Sequence, residues 1–274
     1  MLYKLISAMD KETVESSVVT LSEKGPLGEK VEQAGVALYC LGMKRLLFMP
    51  WVMRELYLII RSEKPEIIQG WMYLGNILAF ISAALSRKKL RIAWNIRHSL
   101  HATKSEKITT KLLIMIGAKL SRKISLIFYN SHVSKRQHIE IGYIKSCSKV
   151  IGNGFDHEKF KPNNNPKENL RELLGIEKNE ILIGHVANYR PVKNHEIFLS
   201  AARILAKRRA MVKFMMAGQR VDAQNQLLNK WLTVPELKDK LFLLGEYKNI
   251  PAFMTVLDFF CLTSKSEAFP NVIG

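Results

Sequence analysis

Cysteine is scarce in this 274-residue chain, and its three cysteines stand far apart. Cys40, Cys147 and Cys261 are odd in number and form no C-x-x-C pair. A disulfide framework needs paired cysteines and a zinc site needs closely spaced ligands, so the pattern argues against both. It suits a protein that works in a reducing cytoplasm.

Long apolar runs are also missing. The most apolar stretch, residues 71–85, contains Asn76 and Ser82 and falls short of the ~20 residues that span a bilayer. We therefore predict a buried helix there. The opening MLYKLISAMDKE lacks the basic head and the apolar middle of a cleavable signal peptide.

Acidic residues are few: 24 Asp and Glu stand against 42 Lys and Arg, which gives a net charge of +18. Such a charge attracts phosphates, nucleic acid or an acidic lipid surface. The basic residues recur along the whole chain without a dense tail. The charge alone therefore does not choose among these partners.

Short β-type runs alternate with longer helical segments along the chain. Most of the runs are continuously apolar, as in parallel strands that helices cover on both faces. The pattern predicts an α/β fold. The predicted strands are 16–21, 36–41, 66–70, 91–96, 125–130, 149–152, 181–187, 212–218, 241–245 and 259–263. The predicted helices include 51–63, 108–121, 194–208, 222–230 and 250–256.

A domain boundary is predicted within residues 153–170, which are rich in Asn, Pro, Gly and charge. It divides the chain into domains 1–152 and 153–274, with a cleft expected between two parallel sheets. Both ends look incomplete. No strand precedes the first helix, and Gly274 follows a loop that should open another helix.

The segment ILIGHVANYRPVKNHEIFLSAARIL (181–205) predicts a phosphate site. A buried strand leads to a loop with Arg190 and Lys193, and a helix begins near Asn194, a good N-cap residue. Two cations beside the N–H groups of a helix end suit a diphosphate. Two solvated loop cations remain the alternative.

The closing segment SKSEAFPNVIG (264–274) follows a predicted strand and carries Glu267. A carboxylate suits the hydroxyl groups of a sugar, and the backbone N–H groups that follow it suit phosphate oxygens. Taken by itself, an ordinary surface glutamate remains the alternative.

Together these segments resemble the sugar-donor domain of the retaining glycosyltransferases of family 4, which have the GT-B fold. The matching segments, in order, are GNGFDHEKFKP (152–162), RPVKNHEIFLSAAR, LGEYKNIP and SKSEAFPNVIG. The resemblance implies two Rossmann-like domains, the first on the acceptor side and the second binding a nucleotide sugar. The first strand of domain 1–152 is expected to be missing, and domain 153–274 to be truncated.

The resemblance also implies roles for residues of domain 153–274. Arg190 and Lys193 would bind the diphosphate and stabilise its charge as the nucleotide departs, without a metal or another cofactor. Glu267 would hold the sugar. Gly245 and Tyr247 would line the base. Backbone N–H groups over Phe269, Pro270, Asn271 and Val272 would contact the sugar and phosphates, except at Pro270, which has none.

In domain 1–152, His98 follows a predicted strand end, where the family places a histidine beside the reacting carbon. Arg97 and His101 are nearby competitors, and a histidine that only orders a loop is the alternative. Retention without an enzymic nucleophile would imply front-face attack by the acceptor hydroxyl, with the departing phosphate as base.

Two departures from the family pattern stand out. Ala268 replaces the usual glycine and would restrict the sugar. The second glutamate of the family's Glu-x7-Glu motif would fall just after Gly274. An inactive truncated fragment is therefore one alternative, and a basic phosphate- or nucleic-acid-binding α/β protein is another.

No G-x-G-x-x-G follows a strand, and no nucleic-acid-binding motif is found, so we expect neither a nicotinamide enzyme nor a nucleic-acid partner. We expect a UDP-sugar and a glycan or lipid-linked acceptor of surface polysaccharide synthesis. Segment 109–123 is apolar with basic ends, which makes it a candidate contact with an anionic membrane. A cytoplasmic protein, peripheral at the inner face of the plasma membrane, would fit this chemistry.

Overall fold

The computed structural model describes residues 1–43, 48–86, 89–100, 107–158, 160 and 170–274. It divides into two compact units, Met1–Gly154 and Phe155–Gly274. Within the residues that it describes, none of the helices combines the length and the apolarity that a bilayer crossing requires.

Unit Met1–Gly154 alternates strands and helices throughout. Its helices are α1 Leu2–Ala8, α2 Pro26–Gln33, α3 Met49–Glu63, α4 Met72–Leu85, α5 Ile108–Leu120 and α6 His132–Glu140. Its strands are β1 Ser17–Thr20, β2 Ala37–Cys40, β3 Ile67–Trp71, β4 Arg91–Ile96, β5 Leu126–Tyr129 and β6 Ser148–Val150. Every pairing is parallel, in a two-stranded sheet β1-β2 and a four-stranded sheet β3-β4-β5-β6.

Strand β4 lies at the centre of this unit's main core because its apolar residues are covered on both faces. Trp94 and Ile96 are fully buried there. They belong to one cluster with residues of α4, α5 and β5. The predicted buried helix is confirmed by α4, whose buried residues include Ile77 and Leu78.

Helix α4 follows β3 without a loop. Met72 makes this turn in the left-handed conformation, with φ at 61°, which is rare for a residue with a side chain. The turn places Tyr73 at the carboxyl edge of the four-stranded sheet. A second apolar cluster packs Val19 of β1 against α3 and against Leu74 and Leu78 of α4.

Unit Phe155–Gly274 has one four-stranded parallel sheet in the order β10-β7-β8-β9. Its strands are β7 Ile181–Val186, β8 Val212–Ala217, β9 Leu241–Leu243 and β10 Phe259–Phe260. Its helices are α7 Leu170–Leu173, α8 His195–Arg208, α9 Gln226–Leu232 and α10 Ile250–Thr255. A 3-10 turn, Pro191–Lys193, joins β7 to α8.

Helix α8 packs on this sheet through residues spaced for one helix face. Phe198, Leu199, Ala202 and Ala206 are buried in one cluster with Phe214 of β8. The predicted helix 194–208 is confirmed within one residue. Asn194 stands at the N-cap, but it adopts the left-handed conformation, with φ at 53°, and its side chain makes no capping bond. The prediction that the Asn194 side chain caps α8 is therefore wrong.

Two other expectations need correction. Helix α9 begins at Gln226, four residues later than predicted, because the Asn225 side chain accepts the backbone N–H of Leu227 at 3.2 Å and caps the helix there. The first unit also contains two sheets among its described strands where we expected one. The strand pairing of this unit depends on contacts between distant segments, which periodicity does not report.

Candidate functional site

The second unit gathers its predicted site residues at one edge of its sheet. Chain order runs β7, β8, β9 in one direction, and β10 then returns to the other side of β7. The point between β7 and β10 is thus where the strand order reverses. In open α/β sheets, ligands bind beyond the carboxyl ends of the strands at such a point.

Lys193 and Glu267 meet at this reversal point. The Lys193 ammonium donates to the Glu267 carboxylate in an ion pair between residues 74 positions apart. Their side chains are 27% and 21% exposed, so the pair is partly accessible to solvent. The cation predicted to bind phosphate and the carboxylate predicted to hold the sugar therefore stand in direct contact.

Arg190 lies in the same turn as Lys193. It precedes the 3-10 turn, and the Lys193 backbone N–H donates to its carbonyl at 2.9 Å. Its side chain is exposed. The structure thus places both predicted phosphate-binding cations ahead of the first turn of α8, whose N–H groups add partial positive charge.

Thr263 joins the two loops that carry Lys193 and Glu267. Its single hydroxyl hydrogen is shared between the carbonyls of Lys193 and Asn194, each at 3.2 Å. The Lys265 backbone N–H donates to the Val192 carbonyl at 2.8 Å. These bonds fix the position of the Glu267 loop against the loop that carries Arg190 and Lys193.

Two buried histidines support the same region. His185 of β7 lies 3.1 Å from the Thr263 hydroxyl through Nε2, and His195 of α8 donates Nε2–H to the Ala187 carbonyl at 3.2 Å. Burial lowers the pKa of His185 to about 4 and also lowers the pKa of His195, and the neighbouring Lys193 contributes to both shifts. Both rings are neutral at pH 7, so they add no charge to the site.

Gly245 follows β9, and its backbone is hydrogen-bonded to the turn that follows β8. Its carbonyl accepts the Gly218 N–H, and its own N–H donates to the Val221 carbonyl, both at 2.8 Å. Gly218 has a φ of 149°, and a Cβ there would lie 2.1 Å from the Ala187 carbonyl oxygen. Only glycine allows these strand ends to approach so closely.

Tyr247 lies one turn beyond Gly245. Its ring centroid is 6.3 Å from that of Phe253, and its backbone N–H donates to the Gly245 carbonyl at 2.9 Å. The ring is half-buried and packs against the core cluster of β7 and β8. Gly245 and Tyr247 thus lie beyond the carboxyl end of β9, and β8 separates β9 from β7, the strand that leads to Lys193.

The segment after Glu267 runs from Phe269 to Val272. The Phe269 ring centroid is 6.0 Å from that of Phe155, and Val272 packs on the core cluster that contains Phe253. Pro270 accepts the Ile273 N–H at 3.0 Å and closes a turn. Asn271 lies exposed in this turn.

His98 lies in the first unit, just after β4, within a chain of three side chains. The Tyr73 hydroxyl is 3.0 Å from His98 Nδ1 and 2.9 Å from His138 Nε2. His138 Nδ1 is 2.8 Å from the Ser134 carbonyl. Tyr73 and His138 are buried, whereas His98 is half-buried.

The donor and the acceptor of each of these three hydrogen bonds follow from the chemistry of the groups. A carbonyl only accepts, so His138 Nδ1 carries the hydrogen that reaches Ser134. Burial lowers the pKa of His138 to about 4, so the ring is neutral and its Nε2 accepts from the Tyr73 hydroxyl. The Tyr73 oxygen therefore accepts from His98 Nδ1–H. Neutral His98 is thus the Nδ1–H tautomer, with its acceptor nitrogen at Nε2.

The two competitors of His98 have different outcomes. Arg97 lies over the Trp71 ring at 5.6 Å and donates to the side chains of Asn95 and Asn153. Its guanidinium therefore holds the loop after β4 to the end of the unit. His101 lies outside the described residues.

Sequence reasoning missed four side chains of these sites: Tyr73, His138, His185 and Thr263. Each is fixed by a partner from 25 to 78 positions away. Tyr73 and His138 sit in segments that look like ordinary helices. One signal was available: His185 is a polar residue in a continuously apolar strand, which marks a buried polar group that needs a partner.

Comparisons with known proteins agree with the fold. Residues 1–159 match the family model described as Glycosyltransferase Family 4, and residues 166–273 match the one described as Glycosyl transferases group 1. The UDP-Gal:alpha-D-GlcNAc-diphosphoundecaprenol alpha-1,3-galactosyltransferase of Escherichia coli is 26% identical over 263 residues. That match covers 92% of this chain and 66% of the relative, so the chain spans slightly less than two thirds of its length.

Solved structures show the same architecture. The HepE protein of Anabaena, in complex with UDP and glucose, aligns with a TM-score of 0.79 at 22% identity, over 99% of this chain and 72% of that one. A glycosyltransferase from Rickettsia africae aligns with a TM-score of 0.78 at 14% identity, over 99% and 71%. The predicted GT-B class of fold is thereby confirmed.

Proposed function

Because the chain belongs to glycosyltransferase family 4, we propose that it transfers a sugar from a UDP-sugar to a lipid-linked or glycan acceptor of a surface polysaccharide. The contact between Lys193 and Glu267 at the reversal point of the sheet carries this proposal. A nucleotide sugar presents a diphosphate and a sugar side by side, and this pair offers one charge suited to each.

The assigned roles follow from the chemistry of each group. Arg190 and Lys193 bind the diphosphate and stabilise the negative charge that grows as UDP departs. Glu267 accepts hydrogen bonds from sugar hydroxyls. Gly245 and Tyr247 border the base. The backbone N–H groups over residues 269–272, other than that of Pro270, reach the sugar and phosphates.

His98 contacts the sugar beside the reacting carbon in this proposal. The bond to Tyr73 supports the role, since it holds the His98 ring in one orientation just beyond the end of β4. Domain 1–152 then takes the acceptor side and domain 153–274 the nucleotide-sugar side. The sugar is transferred with retention, and the leaving phosphate takes the proton of the acceptor hydroxyl.

The acceptor proposal draws on the E. coli relative, whose name gives UDP-Gal as donor and a diphosphoundecaprenol-linked sugar as acceptor. A polyprenyl carrier lies in a membrane. We therefore propose that this chain acts from the cytoplasm, in peripheral contact with an anionic membrane. Its net charge of +18 is compatible with that contact.

Nucleotide binding tests the proposed site. Calorimetry with UDP should show affinity reduced by about ten- to a hundredfold in Arg190→Ala and in Lys193→Ala, because each loses a charged hydrogen bond of about 1.5–3 kcal/mol. Arg208→Ala and Lys207→Ala, at the other end of α8, are the matched controls and should bind UDP like the wild type. Wild-type affinity in both loop variants would refute the phosphate site.

A further inference from the structure

Helix α5 turns an apolar stripe toward solvent. The stripe consists of Ile108, Leu112, Met115 and Ile116, which are 85%, 56%, 63% and 36% exposed. Their spacing of four, seven and eight residues places them on one face of the helix. The opposite face is also apolar or small and packs inward through Ile114, Gly117 and Ala118. An exposed apolar stripe on a helix whose other face is already packed marks a candidate contact surface.

The apolar surface continues beyond α5. An open groove of about 450 Å³ lies between α5 and the end of α6, and Met115 and Ile141 line it. Ile141 is 46% exposed. The polar groups on this groove include Lys111, Gln137 and Glu140, and Glu140 lies 4.0 Å from Arg136. The stripe and the groove together form one apolar surface, which we call the α5 face.

Positive charge surrounds the α5 face. Residues 107–123 contain no Asp or Glu, and their five cations are Lys107, Lys111, Lys119, Arg122 and Lys123. All but Lys111 are exposed. The acidic residues nearest in sequence are Glu106, directly before Lys107, and Glu140.

We propose that the α5 face docks on an anionic lipid bilayer, with the apolar stripe at the level of the acyl chains and the five cations among the phosphate headgroups. The helix has 13 residues and lies in the interface, as amphipathic membrane-surface helices do. The inference rests on the proposed function in one respect: an acceptor carried by a lipid gives the chain a reason to reach a bilayer.

Charge decides between a bilayer and a second copy of the chain. A symmetric dimer through the α5 face would set five cations against five, in a molecule that already carries +18. Like charges brought together in this way repel. An anionic bilayer offers the apolar interior that the stripe needs and the negative headgroups that the cations need.

Vesicle flotation of the 274-residue chain, without sugar donor or acceptor, tests the proposal. Vesicles of phosphatidylcholine with phosphatidylglycerol should bind the chain at least about tenfold more tightly than phosphatidylcholine alone, and added salt should weaken the binding. Equal binding to both vesicles, or no binding to the anionic ones, would overturn the proposal.

Substitutions locate the contact on α5. Leu112→Gln and Met115→Gln should each reduce binding to the anionic vesicles about tenfold, since each removes inserted apolar surface. Ile204→Gln on α8 is the matched control, because Ile204 is 57% exposed, and it should bind normally. Lys119→Gln should reduce binding about fivefold, whereas Lys207→Gln, with the same change in net charge, should not.

Three further results decide whether the α5 face is the membrane contact. If Leu112→Gln binds vesicles as well as Ile204→Gln, with unchanged circular dichroism, the α5 face is not the contact. Sedimentation that shows a lipid-free dimer, lost in Leu112→Gln, would assign the face to a second copy and overturn the proposal. A monomer at the same concentration supports it.

The proposed function and the docking surface can be refuted independently of each other. A chain that binds anionic vesicles through α5 but transfers no sugar refutes the transferase proposal alone. A chain that transfers sugar to a short water-soluble acceptor, and whose vesicle binding is unaffected by the α5 substitutions, refutes only the docking surface.

Discussion

At the scale of single residues, the orientation of His98 depends on two side chains that a ligand does not need to touch. The Tyr73 hydroxyl donates to His138 and accepts from His98, so the orientation of one ring depends on the other. The series of bonds ends at the Ser134 carbonyl, which can only accept a hydrogen bond. A surface histidine without such partners rotates freely, whereas the bond to Tyr73 holds the ring of His98 in place.

Tyr73→Phe should separate this positioning role from packing. The ring remains, but His138 Nε2 loses its donor and Nδ1–H of His98 loses its acceptor. We expect a loss of about 1–3 kcal/mol in the free energy of unfolding and a fall in kcat with little change in KM for the UDP-sugar. Tyr39→Phe removes the 2.7 Å bond to the exposed Glu63 and is the matched control. An unchanged kcat in Tyr73→Phe would show that the tautomer does not matter.

Glu267 offers a second test at this scale. Glu267→Gln should leave the affinity for UDP equal to that of the wild type or higher, because Lys193 loses its competing partner. The affinity for the UDP-sugar should fall about tenfold, since a charged hydrogen bond to the sugar is lost. Calorimetry with both ligands measures the ratio. Glu236→Gln, whose partner Arg203 lies 3.2 Å away, is the control. Equal losses for UDP and UDP-sugar would contradict the sugar-holding role.

At the scale of elements, two loops act as one unit because Thr263 holds them together. Thr263→Val keeps the volume and the branched shape but removes the hydroxyl. We expect a loss of about 1–3 kcal/mol in the free energy of unfolding, together with weaker UDP binding. The control is Thr255→Val, at an exposed position of α10. It loses a 2.9 Å bond to the Pro251 carbonyl and should change stability by less than about 0.5 kcal/mol. Unaltered UDP binding in Thr263→Val would show that the loops hold their geometry independently.

The ten strands were predictable because each is a short apolar run between turn-forming residues, and all ten predicted runs contain a strand. Local capping was only partly predictable. The type of Asn194 suggests a cap, but its left-handed backbone turns the side chain away. The start of α9 was missed because Asp222 and Asn225 both offer capping oxygens and only the geometry chooses between them.

The candidate sites were predictable only as separate pieces. Arg190, Lys193 and Glu267 were found from residue type and order along the chain. That Lys193 touches Glu267 follows from β10 pairing with β7, a contact between segments about 75 positions apart. Thr263 and Tyr73 have no local signal, since their importance lies in what stands across from them.

At the scale of the whole molecule, buried neutral histidines should make stability depend on pH. Burial lowers the pKa of His138 and His185 to about 4 each, whereas an unfolded chain holds histidine near 6.5. As the pH falls below 6.5, the unfolded chain binds protons that the folded chain does not, so stability falls until the pH reaches about 4.

Urea unfolding at pH 7 and pH 5 measures this effect. Each of the two histidines should lower the free energy of unfolding by about 2 kcal/mol at pH 5. His185→Gln, which retains a donor toward Thr263, should show a smaller difference between the two pH values than the wild type. An identical difference would mean that His185 does not carry the effect.

The two-stranded ribbon of β1 and β2 has a consequence for how the first unit opens. Among the described strands, β1 pairs only with β2, and β3 pairs only with β4. One edge of each is thus without a strand partner, whereas both edges of β4 and β5 are paired. Amide hydrogens along Ser17–Thr20 should therefore exchange with solvent deuterium sooner than those along Arg91–Ile96. The ribbon is then the first part of this unit to lose protection, while the sheet beneath His98 retains it.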